Sequence, residues 1–182
     1  NYSLSTSQPS LSSFTQAYER LAAEYETILS IHVTSKLSGT GNGARLAARP
    51  FLPETRIEIV DAKSTTVLQG MIVIEAARMI QAGLTLDEIL PKLDAIIQTS
   101  VFFVGIPDLK HAVRMGRVPK AKGFIGQLLN IKPVITFDEQ GGVKEAVKVR
   151  GQDAVEKKVL AMIIEHAKSF KTPRFAIAHV QN

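Results

Sequence analysis

Phe14, Tyr18, Leu21 and Tyr25 recur three or four residues apart, so one face of the segment 10–25 is apolar and the spacing predicts a helix. Pro9 and the serines around it suit a helix start. Residues 27–34 are rich in β-branched side chains and read as a strand covered on both faces. A polar turn with three glycines fills 35–43, and 44–48 reads as a short helix stopped by Pro50. A second strand follows at 56–61, then a helix over 68–81 that Gly83 ends. Thr85-Leu-Asp-Glu88 has the form of a capping box and opens a helix running to about Ile97. Strand, turn, helix, strand, helix is a βαβ rhythm, which predicts parallel strands.

Beyond Thr99 the pattern changes. Residues 101–106 read as a strand and 107–115 as a short helix that Gly116-Arg-Val-Pro119 breaks. Another short helix is predicted at 123–129. Strands at 132–137 and 143–149 flank Asp138-Glu-Gln-Gly-Gly142, a hairpin signal with glycines placed for positive φ. The second of these strands gives no clean alternation: Glu145, Val147 and Val149 oppose Lys144, Ala146 and Lys148. A helix over 153–170 and a last strand at 174–180 complete the pattern. The expected organisation is an α/β parallel-sheet domain, residues 1–98, followed by an α+β domain, residues 99–182. The polar start and the strand-like end lead us to expect further residues at both termini, an N-terminal strand among them.

Composition narrows the function. Hydrophobic residues at 45% and charged residues at 21% are those of an ordinary globular protein. With no cysteine, disulfides, thiolate catalysis and Cys-ligated zinc are excluded, and a reducing cytoplasm is the expected location. No apolar run approaches the roughly 18 residues of a membrane span, so no stable anchor is expected, while transient membrane contact stays open. The net charge of +5 is dispersed, there is no tryptophan, and aromatics total 6%. A base-stacking surface is therefore not expected, nor is a nucleic-acid partner.

The segment 32–43, His-Val-Thr-Ser-Lys-Leu-Ser-Gly-Thr-Gly-Asn-Gly, carries the clearest chemistry. It brings the hydroxyls of Thr34, Ser35, Ser38 and Thr40 to the carboxyl end of a parallel strand and the start of a helix. Ligands of open α/β sheets bind at that edge. Free N–H groups and the helix dipole there favour an anion. The same hydroxyls could instead simply cap the helix. A second polar cluster, 5–10, also precedes a helix and reads alone as an N-cap with spare serines. Neither nucleotide-binding glycine signature is present, and the four histidines have no metal-ligand spacing. Ser38, a histidine and Asp61 could be imagined as a triad, but no G-x-S-x-G elbow supports one.

Taken together, Thr6-Ser-Gln-Pro-Ser10, Ile31-His-Val-Thr-Ser-Lys-Leu-Ser-Gly-Thr40, Ile59-Val-Asp61, Gly116-Arg117, Leu128-Leu-Asn-Ile-Lys-Pro133 and Val147-Lys-Val-Arg150 resemble the DegV family along almost the whole chain. The resemblance implies a two-domain α/β protein that buries a long-chain fatty acid, such as palmitate, stearate or oleate, between its domains. It implies a bacterial carrier with no catalytic residue, metal or cofactor of its own, presenting the carboxylate to a separate ATP-binding fatty acid kinase subunit. Thr6 and Ser38 would hold the carboxylate, and Gly39 and Thr40 would complete the loop. Arg117 would lie near the pocket mouth or the partner surface, and Arg150 belongs to the basic motif after the hairpin. Met115 stands where the family has the first glycine of Gly-Gly-Arg, and Ala62 where a serine often follows Val-Asp. Neither departure touches a carboxylate position. The alternatives are a passive lipid sensor or store and a serine esterase acting from Ser38.

Overall fold

A computed structural model describes residues 5–106, 110–118 and 131–179. The chain divides into two compact units, Asn1–Ser100 and Val101–Asn182.

In the first unit, Ser10 caps helix α1 (Leu11–Ala22), its Oγ accepting the Ser13 N–H at 3.1 Å. The helix stops three residues before Tyr25, where the Leu21 carbonyl accepts the N–H groups of both Glu24 and Tyr25 and the chain turns into β1. Strands β1 (Thr27–His32) and β2 (Arg56–Asp61) pair in parallel, Thr27 opposite Arg56 and His32 opposite Asp61. Their side chains alternate between two cores, as the period of two requires. Ile28, Ile57 and Ile59 pack with Phe14, Tyr18 and Leu21 of α1 and with Ala44, Ala47 and Ala48 of α2. Leu29 and Ile31 pack with Ile72 and Ala76 of α3 and Ile89 and Leu93 of α4. The strands are thus covered on both faces, in keeping with their sequence.

Helix α2 (Thr40–Ala48) begins four residues before its predicted start. Glycines at 41 and 43 lower helix propensity, which makes this stretch read as a turn. Packing overrides propensity: α2 lies against β1 and α1, where a Cβ at Gly41 would sit 3.7 Å from His32 Cβ and one at Gly43 3.7 Å from the Phe14 ring, both ordinary van der Waals contacts. Helix α3 (Thr66–Gln81) ends at Gly83, whose φ is +82°. In α4 (Leu86–Thr99) the Glu88 carboxylate accepts the N–H and the O–H of Thr85, each at 2.8 Å. Those two bonds, the backbone one first, hold the Glu88 carboxyl below the usual glutamate range.

In the second unit, β3 (Val104–Gly105), β4 (Ile131–Phe137) and β5 (Val143–Arg150) form an antiparallel sheet in that order, with helices α5 (Lys110–Arg114) and α6 (Gln152–Ala167). The pairing passes from Val134–Val147 to Ile135–Glu145, so Ala146 is an extra residue on β5. Val143, Glu145, Val147 and Val149 are half-buried while Lys144, Lys148 and Arg150 are exposed, so a charged residue, Glu145, interrupts the apolar side of the strand. In the hairpin turn, Gly141 takes φ +82°, while Gly142 lets the Asp138 carboxylate accept its N–H at 2.8 Å.

Three expectations change. The strand predicted at 101–106 shrinks to two residues. Helix α6 ends at Ala167 rather than 170. Residues 174–179 form no strand, and Ile177 is 83% exposed. A strand needs a partner for its N–H and C=O groups, and composition alone cannot supply one. The helix predicted at 123–129 lies outside the described residues.

Candidate functional site

Both parallel strands end at one edge, His32 beside Asp61, and the loops that leave them are tied together there. Thr34 is fully buried, and its N–H donates to the Ser64 carbonyl at 2.9 Å. Its own carbonyl accepts the N–H groups of Leu37 and Ser38 at 3.1 and 3.2 Å. Of the four hydroxyl residues in this segment, Thr34 therefore builds the loop. Asp61 is the second tie: Oδ2 accepts the Ser35 N–H at 3.1 Å and Oδ1 the Lys63 N–H at 2.8 Å. After β2 the chain is wound tightly, with Lys63 at φ 48° and Thr66 at φ 51°, left-handed backbone that non-glycine residues seldom adopt.

This framework places two hydroxyls at the start of α2. Ser38 Oγ and Thr40 Oγ1 lie 2.7 Å apart, and the Thr40 N–H donates to Ser38 Oγ at 3.2 Å. One hydroxyl proton is used between the pair, so the other remains to donate outward, whichever oxygen carries it. Gly39, the N-cap, contributes no side-chain bond. The N–H groups of Gly41 and Asn42 find no partner among the described residues. One O–H and two N–H donors beside a helix N-terminus, all at one turn, suit an oxyanion such as a carboxylate.

The segment 5–10 comes to the same turn. A Cβ at Gly39 would collide with Gln8 Oε1, and one at Gly43 would lie 3.7 Å from Gln8 Nε2, so the Gln8 carboxamide lies across the first turn of α2. Thr6 is exposed in this segment, two residues from Gln8. The two polar motifs, far apart in the chain, thus meet through Gln8 and Gly39. The arginines lie in the second unit. Arg117 is exposed and turns back on its own chain, Nη1 donating to the Met115 carbonyl at 2.6 Å. Arg150 is exposed at the end of β5.

A cleft of about 190 Å³ opens beside the loops, lined by Val33, Gly41, Ile59 and Val60 with Ser35, Asn42, Arg45 and Asp61 as its polar groups. A chain of hydrogen bonds joins α1 to β1, Tyr18 Oη with Ser30 Oγ and Ser30 Oγ with His32 Nε2, each 2.8 Å. The Phe14 ring meets His32 edge-on at 5.4 Å. Burial, then the nearby Arg45 charge, holds the His32 pKa below its usual value, against the opposing pull of Asp61. The sign follows from linkage: the unfolded chain binds a proton at His32 more readily than the folded one. This contribution to stability is complete above the usual histidine pKa of about 6.5 and is lost as the pH falls from there through the lower folded value. Lowering the pH from 7.5 to 5.5 should therefore lower the thermal midpoint, and His32→Asn should flatten that slope in a calorimetric series.

Sequence reasoning singled out Ser38, Gly39 and Thr40, which share one turn, but gave Gln8 and Arg45 no role of their own and weighed Asp61 only as a member of an unsupported triad, not as the tie between the two loops. An aspartate closing a strand that runs parallel to a polar loop is the signal for Asp61. Nothing in the sequence signals the left-handed backbone at Lys63 and Thr66.

An open-sheet α/β unit with polar donors at the carboxyl ends of its parallel strands presents the edge at which ligands of such sheets bind. The DegV family, described as "Uncharacterised protein, DegV family", matches residues 1–182, and the chain belongs to that family. A DegV domain-containing protein of Listeria monocytogenes is 38% identical over 167 residues, 91% of this chain and 59% of that protein. A DegV family protein from Thermus thermophilus, solved for its fatty acid binding, is 33% identical with a TM-score of 0.82, covering 90% of this chain and 57% of that one. A DegV family protein from Eubacterium eligens, loaded with heptadecanoic acid, is 25% identical with a TM-score of 0.77, over 89% of this chain and 58% of that one. The chain spans about three fifths of the length of these relatives.

Proposed function

We propose that this chain binds a long-chain fatty acid, with the carboxylate held by Ser38, Thr40, Thr6 and the loop amides at Gly39. The observation that carries the reading is the bonded pair of Ser38 and Thr40 at the start of α2, 2.7 Å apart, beside two unpartnered N–H groups. The fatty acids held by family members from Thermus thermophilus and Eubacterium eligens support it.

The energetics suit such a ligand. A sixteen-carbon acid offers about 15 apolar carbons at ~0.8 kcal/mol each, on the order of 12 kcal/mol if wholly buried. Lost translational freedom and chain ordering offset several kcal/mol of that. A charge-assisted hydrogen bond to the carboxylate adds about 1.5–3 kcal/mol. The tail supplies most of the affinity, and the head-group donors set orientation and make a carboxylate tolerable beside apolar surface.

Donors that are hydroxyls and amides hold a carboxylate without neutralising it fully, which suits a head group that must later react. That favours a carrier presenting the acid to a separate ATP-binding fatty acid kinase subunit over a passive lipid store. An esterase is the weaker reading: Ser38 Oγ is bonded to Thr40, and His32 is bonded to Ser30. Among the described residues no helix is long and apolar enough to cross a membrane. Native mass spectrometry of the purified protein, followed by organic extraction, should show one bound C14–C18 fatty acid per chain. Protein that carries none and takes up no added palmitate would end the proposal.

A further inference from the structure

The Gln8 carboxamide lies against the first turn of α2 at Gly39. Its φ of −74° is open to any amino acid, so the backbone does not demand glycine there. A Cβ at position 39 would meet Oε1 at less than contact distance, with Cδ at 3.0 Å and Nε2 at 3.4 Å. At Gly43, four residues further along the helix and therefore on the same side of it, the nearest side-chain atoms are again Gln8 Nε2 and the Phe14 ring. The two glycines form a flat seat, and the carboxamide of Gln8 fills it. Gln8 is two residues from Thr6, and Gly39 lies between Ser38 and Thr40.

We propose that Gln8 is a positioning residue of the carboxylate site: seated on Gly39 and Gly43, it holds Thr6 across the turn from the Ser38–Thr40 pair. This rests on the fatty-acid reading and extends it. Gln8 acts through Thr6, so its loss weakens recognition of the carboxylate and spares recognition of the acyl chain. The device is reciprocal. A methyl at residue 39 pushes the flexible end of Gln8 off its seat, so Gly39→Ala and Gln8→Ala disturb the same contact from its two sides.

The test compares two ligands of equal chain length, palmitate and hexadecanol, on the full chain carrying Gln8→Ala, Gln8→Glu, Gly39→Ala or both alanine changes. Gln8→Ala should weaken palmitate binding about tenfold, the scale of one hydrogen bond to a charged group, and change hexadecanol binding less than about twofold. Gln8→Glu keeps the shape and brings a negative charge beside the carboxylate, so it should lose more palmitate affinity than Gln8→Ala and again spare hexadecanol. Coupling through one contact makes the double variant no weaker than the weaker single. Thermal midpoints close to the parent's show that the variants are folded. Palmitate and hexadecanol falling together, additive single effects, or Gln8→Glu binding palmitate like the parent would each overturn the assignment while leaving the fatty-acid reading intact. A parent protein that binds neither ligand removes that reading and this inference with it.

Discussion

Ser38→Ala is expected to weaken palmitate binding by about 10- to 100-fold, the range set by one hydrogen bond to a charged group. Two losses combine. The variant removes an oxygen that accepts the Thr40 N–H at 3.2 Å and shares a proton with Thr40 Oγ1 at 2.7 Å. It also leaves Thr40 as the only hydroxyl at the turn, free to rotate away from the ligand. Binding should persist at the weaker level, because the acyl chain carries most of the affinity and Ser38 does not touch that term. The cost to stability should be near that of losing a helix cap, about 1 kcal/mol. Titration calorimetry with palmitate checks the first figure and urea denaturation the second. Unchanged affinity would show that the carboxylate sits elsewhere. Affinity abolished along with the fold would show that Ser38 is a structural residue like Thr34.

Asp61→Ala is expected to have the largest effect on stability, about 2–4 kcal/mol. Asp61 accepts two backbone N–H groups, from Ser35 and Lys63, and so ties the loop after β1 to the loop after β2. Each hydrogen bond to an ionised group contributes about 1.5–3 kcal/mol, and partial exposure of the carboxylate reduces the sum. Binding should fall as well, because the freed loop 33–39 no longer holds Ser38 and Thr40 at the start of α2. Asp61→Asn is no conservative change here. A carboxamide has one accepting atom, so its NH₂ must face one of the two N–H donors. With no tryptophan in the chain, tyrosine fluorescence and circular dichroism are the probes of choice for the urea transition. A loss below about 0.5 kcal/mol would mean that the loops are held by their own turns rather than by Asp61.

The parallel strands were legible because β-branched runs separated by a helix admit few alternatives. Their two-sided burial is visible too, since Ile28 and Leu29 go to opposite cores while both are apolar. The start of α2 was not, because Gly41 and Gly43 lower helix propensity there while the packing that holds the turn against β1 and α1 is tertiary. Glu145 hid the faces of β5, since it is a charged residue standing half-buried in line with Val143, Val147 and Val149. At the site, hydroxyls at a strand end announce a place for an anion, and the DegV resemblance selects Ser38 and Thr40 among them. Burial alone divides those hydroxyls into framework, as for Thr34, and candidates for the ligand. Burial is a tertiary fact that no local pattern carries. The role of Gln8 is hidden for the same reason: it exists only where two distant segments touch.

The most direct test of the account is a crystal structure of the protein with palmitate bound. The account predicts a carboxylate oxygen about 2.7 Å from Ser38 Oγ, with Thr6 and the Gly39–Thr40 turn completing its hydrogen bonds. A carboxylate clamped by Arg117, with the Ser38–Thr40 pair left bonded only to itself, would contradict it.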